Sequence, residues 1–217
     1  LDADFQPLNL NLNAEEGFYS FDLKTPKGIV EGCRLNYPGL LNVENGVGAA
    51  ALAFLAGASG EEIKKGLADY RGVARRFDIR FKDEKHVYID DYAHHPEELR
   101  AVISSVKALY DGRKVAGIFQ PHLYSRTKDF ADGFAESLDM LDEAVLVPLY
   151  PAREEPIPGI SSETIFEKMK VKNKFMVEKN EVPALLKEHA TDVVMTMGAG
   201  DIDSIAEEII EVLKSKK

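Results

Sequence analysis

Strand-like and helix-like segments alternate regularly through the second half of the chain. Apolar runs typical of buried strands lie at 87–90, 114–119, 143–149, 174–178 and 192–197. Segments with apolar residues at helical spacing follow them at 96–110, 128–140, 162–170, 182–189 and 202–214. Short loops join these segments. The alternation predicts an α/β fold with a doubly wound, mostly parallel sheet, because parallel strands need a crossover helix between them.

The first third of the chain has a different pattern. Short alternating runs over 5–37 predict a β-hairpin or meander, and an Ala- and Gly-rich helix is expected over 43–57. Ser59, with a glutamate three residues later, has the capping-box signature of a second helix. The pattern changes at a basic, glycine-containing connection, RGVARR. We therefore predict a domain boundary there, with domains at 1–76 and 77–217.

The composition limits the partners and the cellular location. Asp and Glu outnumber Lys and Arg by 37 to 27, and the resulting charge of −10 argues against nucleic acid as a partner. Cys33 is the single cysteine, which excludes an internal disulfide and favours a reducing compartment. No apolar run reaches the roughly 20 residues of a membrane span. The chain begins with Leu1 rather than methionine, which indicates a fragment. We expect a cytoplasmic protein that does not bind membranes.

Four loops that follow predicted strands carry unusual polar residues. They read DDYAHHP from Asp90, FQPHLYSRT from Phe119, PLYPAREEPIPG from Pro148 and GAGDI from Gly198. The carboxyl ends of parallel strands share one edge of a sheet, so these loops should face a common crevice. The alternative for the first loop is a polar connection to a capped helix. Five polar groups between a strand end and a helix start instead favour a ligand site.

The residue types in these loops indicate acid–base and anion-binding chemistry. His94 and His95 are adjacent and point apart on a helix, so we predict no metal site, although Asp90, Asp91, His94 and His122 across loops stay an alternative. A histidine close to a carboxylate is more often an acid–base or orienting group. The backbone N–H groups of the Gly198–Asp201 turn suit an anion, and a tight turn with Asp201 as N-cap is equally open. The chain has no G-x-x-x-x-G-K-[ST] phosphate-binding loop.

Taken together and in this order, the four loop motifs resemble those of the Mur ligases of peptidoglycan synthesis. That family has a UDP-binding domain, a central ATPase domain with the phosphate-binding loop, and a Rossmann-like C-terminal domain. The resemblance covers nearly the whole chain but not a whole enzyme. It implies that 1–76 is the C-terminal portion of the central ATP-binding domain and that 77–217 is the complete Rossmann-like ligand-binding domain.

The resemblance also implies an activity. Mur ligases join a carboxylate to an amine with ATP through an acyl phosphate, and these motifs imply UDP-N-acetylmuramate and L-alanine as substrates. ATP and Mg²⁺ are the implied cofactors, held mainly by a part of the central domain outside this chain, so the chain alone should be inactive. We expect a monomer or a weak homodimer in a bacterial cytoplasm. A murein-peptide-recycling ligase of the same family, a non-catalytic nucleotide-binding module and a metal-dependent hydrolase stay as alternatives.

Roles for individual residues follow from the matching motifs and loops. The predicted nucleotide-binding residues are Asn42 and Asn45 for adenine, and Arg76 and Asp91 for phosphate and ribose. The predicted substrate-binding residues are Tyr92, His94, His122, Arg126, Gly198 and Asp201, of which His94 and Arg126 are the candidate catalytic residues. Two positions depart from the family pattern. Leu41 replaces a usual histidine, and Leu123 replaces a second arginine found in many members, which removes one expected substrate contact.

Overall fold

The computed structural model describes residues 3–189 and 191–216, so Leu1 lies outside the described part. The chain divides into two compact units. The first ends at Gly72 and also takes in Ala108–Tyr110, and the second begins at Val73. None of the helices in the described ranges is both long enough and apolar enough to cross a membrane.

The first unit is a three-stranded antiparallel sheet with two helices, which confirms the predicted meander. Its strands are β1 (Gln6–Asn13), β2 (Phe18–Thr25) and β3 (Gly28–Leu35), and its helices are α1 (Leu40–Leu55) and α2 (Gly60–Asp69). The capping box at Ser59 is present. The Ser59 hydroxyl oxygen accepts the Glu62 N–H at 3.3 Å, and the Glu62 carboxylate accepts the Ser59 N–H at 2.8 Å.

The second unit is a six-stranded sheet in the order β4-β5-β9-β6-β7-β8, parallel except for β4. Its strands are β4 (Asp78–Lys82), β5 (Val87–Asp91), β6 (Val115–Phe119), β7 (Glu143–Leu146), β8 (Asn173–Met176) and β9 (Val193–Met197). Its helices are α3 (Pro96–Leu109), α4 (Tyr124–Leu138), α5 (Glu163–Phe166), α6 (Val182–Glu188) and α7 (Ala206–Ser215). Helices α6 and α7 pack on one face, and α4 contacts the other through Phe134 and Phe119. The predicted doubly wound, Rossmann-like α/β fold is confirmed.

Three predictions about individual elements are wrong. The edge strand β4 is missing from the sequence prediction, because a bulge between Ile79 and Phe81 breaks its alternation. Strand β7 ends at Leu146 rather than at 149, two residues before Pro148, which has no N–H to donate to a sheet. The helix expected over 162–170 is a single turn, α5. It stops early because the Asp139 carboxylate accepts the N–H groups of residues 170 and 171, at 2.6 and 2.8 Å.

The three central strands end at the same level. Strands β5, β6 and β9 are buried at every position, so apolar side chains cover both faces of the sheet centre. In register, Asp91 and Phe119 both pair with Met197, the last residue of β9. The loops that follow these residues therefore leave the sheet side by side, on its carboxyl edge.

Gly117 in the middle of β6 offers a test of this packing. A Cβ atom there would lie 2.5 Å from Leu141 Cδ1 and 2.9 Å from Met197 Cε. We expect Gly117→Ala to lower the free energy of unfolding by about 1–3 kcal/mol through overpacking. The control is Gly48→Ala in α1, where an added Cβ meets no described atom within 4 Å and should stabilise the helix by up to about 1 kcal/mol. Urea denaturation measures both, and equal stability of the two variants would contradict this packing.

Candidate functional site

Four aromatic side chains form a row along the carboxyl edge of the second unit. Ring centroids are 5.3 Å apart for Tyr92 and His94, 6.1 Å for His94 and His122, and 5.9 Å for His122 and Tyr150. These residues come from the loops after β5, β6 and β7. The structure therefore brings three of the four predicted loops together, and we call these four residues the aromatic row.

Within this row, His94 is oriented by its own loop. Its Nδ1 lies 2.8 Å from the Tyr92 carbonyl oxygen, and its backbone N–H donates to the Glu98 carboxylate at 2.9 Å. A carbonyl can only accept, so in a neutral ring Nδ1 carries the hydrogen and Nε2 keeps its lone pair. Nε2 of His94 is therefore available to accept a proton from a ligand.

The neighbouring His95 points elsewhere, with its ring against Phe130 at a centroid distance of 4.7 Å. The two adjacent histidine rings therefore contact different neighbours. Among the residues that the structure describes, no three His, Cys, Asp or Glu side chains are placed to hold one metal ion.

His122 and Arg126 present polar atoms that lack a partner. Burial, followed by the positive charge of Arg126, lowers the pKa of His122, which favours the neutral form of its ring. Nδ1 of His122 and Nη1 of Arg126 are buried and have no hydrogen-bond partner within 3–189 and 191–216. Buried polar groups are normally paired. Two unpaired groups of this kind beside the aromatic row therefore indicate a place for a polar ligand.

The start of α4 fixes the position of Arg126. Leu123 occupies the N-cap with a φ of 72°, and its N–H donates to the Tyr150 carbonyl at 3.0 Å. The Glu154 carboxylate accepts the N–H and the hydroxyl of Ser125 at 2.9 and 2.5 Å, which lowers the pKa of Glu154. Helix α4 thus begins four residues earlier than expected, and Arg126 lies in its first turn.

The Gly198–Asp201 turn packs tightly against the loop after β6. A Cβ on Gly198, where φ is 146°, would lie 2.8 Å from the Gln120 carbonyl oxygen, and one on Gly200 would lie 2.8 Å from Tyr150 Cβ. Although burial opposes ionisation, hydrogen bonds from Lys179 and Gln120 lower the pKa of Asp201. Asp201 holds the N-cap position of a short 3-10 helix, but its side chain makes no capping bond.

Arg75, which the sequence did not single out, also contacts this turn. Its guanidinium donates to the carbonyl oxygens of Gly198 and Gly200 at 2.7 and 3.2 Å. The only signal in the sequence is the Arg-Arg pair of the basic connection, of which the resemblance pointed to Arg76 alone.

Of the two nucleotide-binding residues predicted in this unit, Arg76 lies on the connection before β4, and Asp91 is the last residue of β5. Asp91 is buried, and its carboxylate accepts the N–H groups of Phe77 and Ala93, both at 2.7 Å. Burial raises the pKa of Asp91 to about 6, and the nearby charge of Arg76 works against this rise. The Arg76 guanidinium lies 5.4 Å from the Tyr92 ring centroid. Tyr92 therefore adjoins both the predicted nucleotide-binding pair and the aromatic row.

The raised pKa of Asp91 predicts a pH dependence of stability. The folded protein binds the Asp91 proton more tightly than the unfolded chain, whose value is 3.8. Stability from this group is therefore full below pH 3.8 and is lost as the pH rises through about 6, by about 3 kcal/mol in total. The side chain of Asp91→Asn does not titrate, so the stability of this variant should not show the decrease with rising pH that Asp91 causes. Urea denaturation of both proteins at about pH 4 and about pH 7 measures it. Parallel pH profiles for the two proteins would exclude the assignment.

The other two predicted nucleotide-binding residues lie in the first unit. Asn42 and Asn45 line a cavity of about 420 Å³ between α1 and α2, whose walls are mainly apolar and small residues. The Asn42 side-chain amide donates to the Pro38 carbonyl at 2.6 Å, which fixes its orientation. Small apolar walls with two amides suit a flat heteroaromatic ring such as adenine.

The second unit thus has a Rossmann-like fold, with its polar loops gathered at the carboxyl edge of a mostly parallel sheet. Residues 75–200 match the family model of the Mur ligase glutamate ligase domain, which is more than half of the chain. The chain belongs to the Mur ligase family.

Individual relatives agree with this membership. The chain is 48% identical over 211 residues to a UDP-N-acetylmuramate–L-alanine ligase of Parabacteroides distasonis, covering 97% of this chain and 45% of the relative. It is 44% identical over 216 residues to the ligase of the same name from Phocaeicola vulgatus, and the match covers 99% of this chain and 47% of that relative. Among solved structures, the UDP-N-acetylmuramate-alanine ligase of Thermotoga maritima matches with a TM-score of 0.82 and 26% identity, covering 100% and 47%. The chain spans about half the length of these relatives.

Proposed function

We propose that the protein containing this chain joins L-alanine to UDP-N-acetylmuramate, with ATP, in bacterial peptidoglycan precursor synthesis. The 48% identity to a ligase of that name supports the proposal. The observation that carries it is the pair of buried, unpaired groups on His122 and Arg126 beside the aromatic row. In this proposal, 1–76 belongs to the central ATP-binding domain, and 77–217 belongs to the C-terminal domain of a cytoplasmic monomer or weak homodimer.

The amino acid site in this proposal lies along the aromatic row. The Arg126 guanidinium is a planar fork of donors, always charged, which matches the two oxygens of the L-alanine carboxylate. The rings of Tyr92 and His94 then flank the amino acid. The Gly198–Asp201 turn closes the same edge of the sheet and completes the predicted set of substrate-binding residues.

The nucleotide-binding residues in this proposal are the four that the sequence predicts. Asn42 and Asn45, at the walls of the cavity in the first unit, would hold adenine, and Arg76 with Asp91 would hold the phosphate and ribose. ATP with Mg²⁺, when bound, supplies the phosphoryl group that converts the UDP-N-acetylmuramate carboxylate into an acyl phosphate. This activation is needed because a carboxylate is a poor electrophile.

The residues of this chain then serve the attack of the amine. The L-alanine nitrogen forms a bond to the acyl carbon, the bond from that carbon to the phosphate oxygen breaks, and inorganic phosphate leaves. Nε2 of His94 accepts the proton that the nitrogen loses. Arg126 holds the carboxylate so that the amine faces the acyl carbon, and orientation of this kind lowers barriers by up to about 7–11 kcal/mol.

A comparison of amino components tests this proposal. A longer protein that contains this chain together with the ATPase domain is incubated with ATP, Mg²⁺ and UDP-N-acetylmuramate. Phosphate release should require L-alanine, and mass spectrometry should find the amide product. Release with a murein tripeptide but not with L-alanine would favour the recycling ligase. No release with either would favour a non-catalytic nucleotide-binding module. The 217-residue chain alone, which has no phosphate-binding loop, should release none.

A further inference from the structure

Arg75 makes an unusual number of contacts through one side chain. Besides its bonds to the Gly198 and Gly200 carbonyls, its guanidinium pairs with the carboxylates of Asp90 and Asp203, each at 3.3 Å. Only 20% of the Arg75 side chain is exposed. The Arg75 guanidinium therefore contacts both the Gly198–Asp201 turn and the end of β5.

The backbone of Arg75 contacts the aromatic row as well. Its carbonyl accepts the Tyr92 N–H at 2.7 Å, and its guanidinium lies 5.1 Å from the Tyr92 ring centroid. The residue has a φ of 61°, in the left-handed region that residues other than glycine rarely adopt. Strained conformations of this kind persist where the surroundings fix them, and they cluster at functional sites.

The partner carboxylate of Arg75 is deeply buried. Asp90 is fully buried and accepts the Thr196 hydroxyl at 2.6 Å, and that hydroxyl accepts from Tyr88, at 2.9 Å. A buried carboxylate needs a compensating cation, so the pair holds Arg75 in one place. The remaining donors of the guanidinium are then aimed at the two glycine carbonyls. A lysine has its donors on a single atom and cannot reach all four partners.

We propose that Arg75 is a positioning residue of the amino acid site, which holds the Gly198–Asp201 turn and the Tyr92 ring in one arrangement through a single guanidinium. The inference rests on the proposed function, because the turn and Tyr92 are assigned there to the substrate. Arg75 touches no substrate in this scheme. It acts through the residues that do.

The test uses the longer protein that contains this chain, with Arg75→Lys and Arg75→Met. Arg100→Lys and Arg100→Met are the matched controls, because Arg100 pairs with the exposed carboxylates of Glu136 at 3.6 Å and Glu97 at 3.9 Å. Hydrogen exchange by mass spectrometry, without substrates, follows peptides that cover 92–95 and 198–205. Steady-state kinetics then gives kcat and the KM values for L-alanine and ATP.

For Arg75→Lys we expect a folded protein with faster exchange in these two segments alone. The KM for L-alanine should rise by roughly tenfold to a hundredfold, as for a misplaced binding group, while the KM for ATP changes by less than about threefold. Arg75→Met should show the larger effect, and the Arg100 variants should match the wild type in both measurements.

Three results would overturn the proposal. The first is that both Arg75 variants show unchanged exchange and an unchanged KM. The second is that exchange is faster throughout the second unit while the KM values are unchanged. The third is that both variants fail to fold. If the wild type does not use L-alanine, the proposed function is wrong. The hydrogen-exchange experiment then still tests whether Arg75 is a positioning residue. Faster exchange confined to the two segments would then support the positioning role for another substrate.

Discussion

Arg126→Ala is expected to raise the KM for L-alanine roughly thirtyfold or more under the proposed function, which corresponds to a loss of about 2–5 kcal/mol of binding free energy. The reason is that Arg126 presents a buried Nη1 with no partner among the described residues, at the first turn of α4. Leu123 replaces the second arginine of many family members, so fewer cations share the carboxylate. Steady-state kinetics with each substrate varied in turn measures the effect.

Two further variants define the role of Arg126. Arg126→Lys should restore only part of the affinity, because an ammonium cannot reproduce the bidentate fork. Lys128→Ala is the matched control, since Lys128 is an exposed cation on the same helix. The KM for ATP should change little in all three variants. An unchanged KM for L-alanine in Arg126→Ala would refute the assignment and shift attention to Tyr92 and the Gly198–Asp201 turn.

The second large effect is expected at His94. His94→Ala should lower kcat by about a hundredfold to ten-thousandfold, the usual contribution of a general base. The hydrogen bond from Nδ1 to the Tyr92 carbonyl leaves Nε2 as the proton acceptor. His94→Asn can keep the donor to that carbonyl but lacks Nε2, so it should be as slow as His94→Ala. Single-turnover kinetics separates this loss from slow product release.

The adjacent histidine supplies the control for this prediction. His95 packs against Phe130 and points away from the row, so His95→Ala should keep kcat within about threefold of the wild type. If His94→Asn retained wild-type kcat, or if His95→Ala lost as much as His94→Ala, His94 would not be the base.

Much of the fold could be predicted from hydrophobic period alone. Strands β5, β6, β7 and β9 are buried at every position and are separated by helices, which leaves a strong pattern in the sequence. The placement of β9 between β5 and β6 could not be predicted, because strand order depends on long-range pairing rather than on local residues. The short length of α5 could not be predicted either, because it depends on Asp139, the C-cap residue of α4, whose carboxylate accepts the N–H groups of residues 170 and 171.

The candidate site was predictable to a similar extent. Parallel strand ends share an edge, so the gathering of the loops that carry Tyr92, His94 and His122 follows from the fold. The role of Arg75 could not be inferred, because Gly198, Gly200 and Asp203, three of its four partners, lie more than 120 residues away in the chain. The roles predicted for individual side chains in ligand binding stay predictions.

A crystal structure of the longer protein that contains this chain, with L-alanine, UDP-N-acetylmuramate and a non-hydrolysable ATP analogue, tests the central claim most directly. We predict that a guanidinium nitrogen of Arg126 lies within about 3.2 Å of an L-alanine carboxylate oxygen, with the amine facing Nε2 of His94. An L-alanine carboxylate bound elsewhere, with Arg126 contacting only protein groups, would contradict the account.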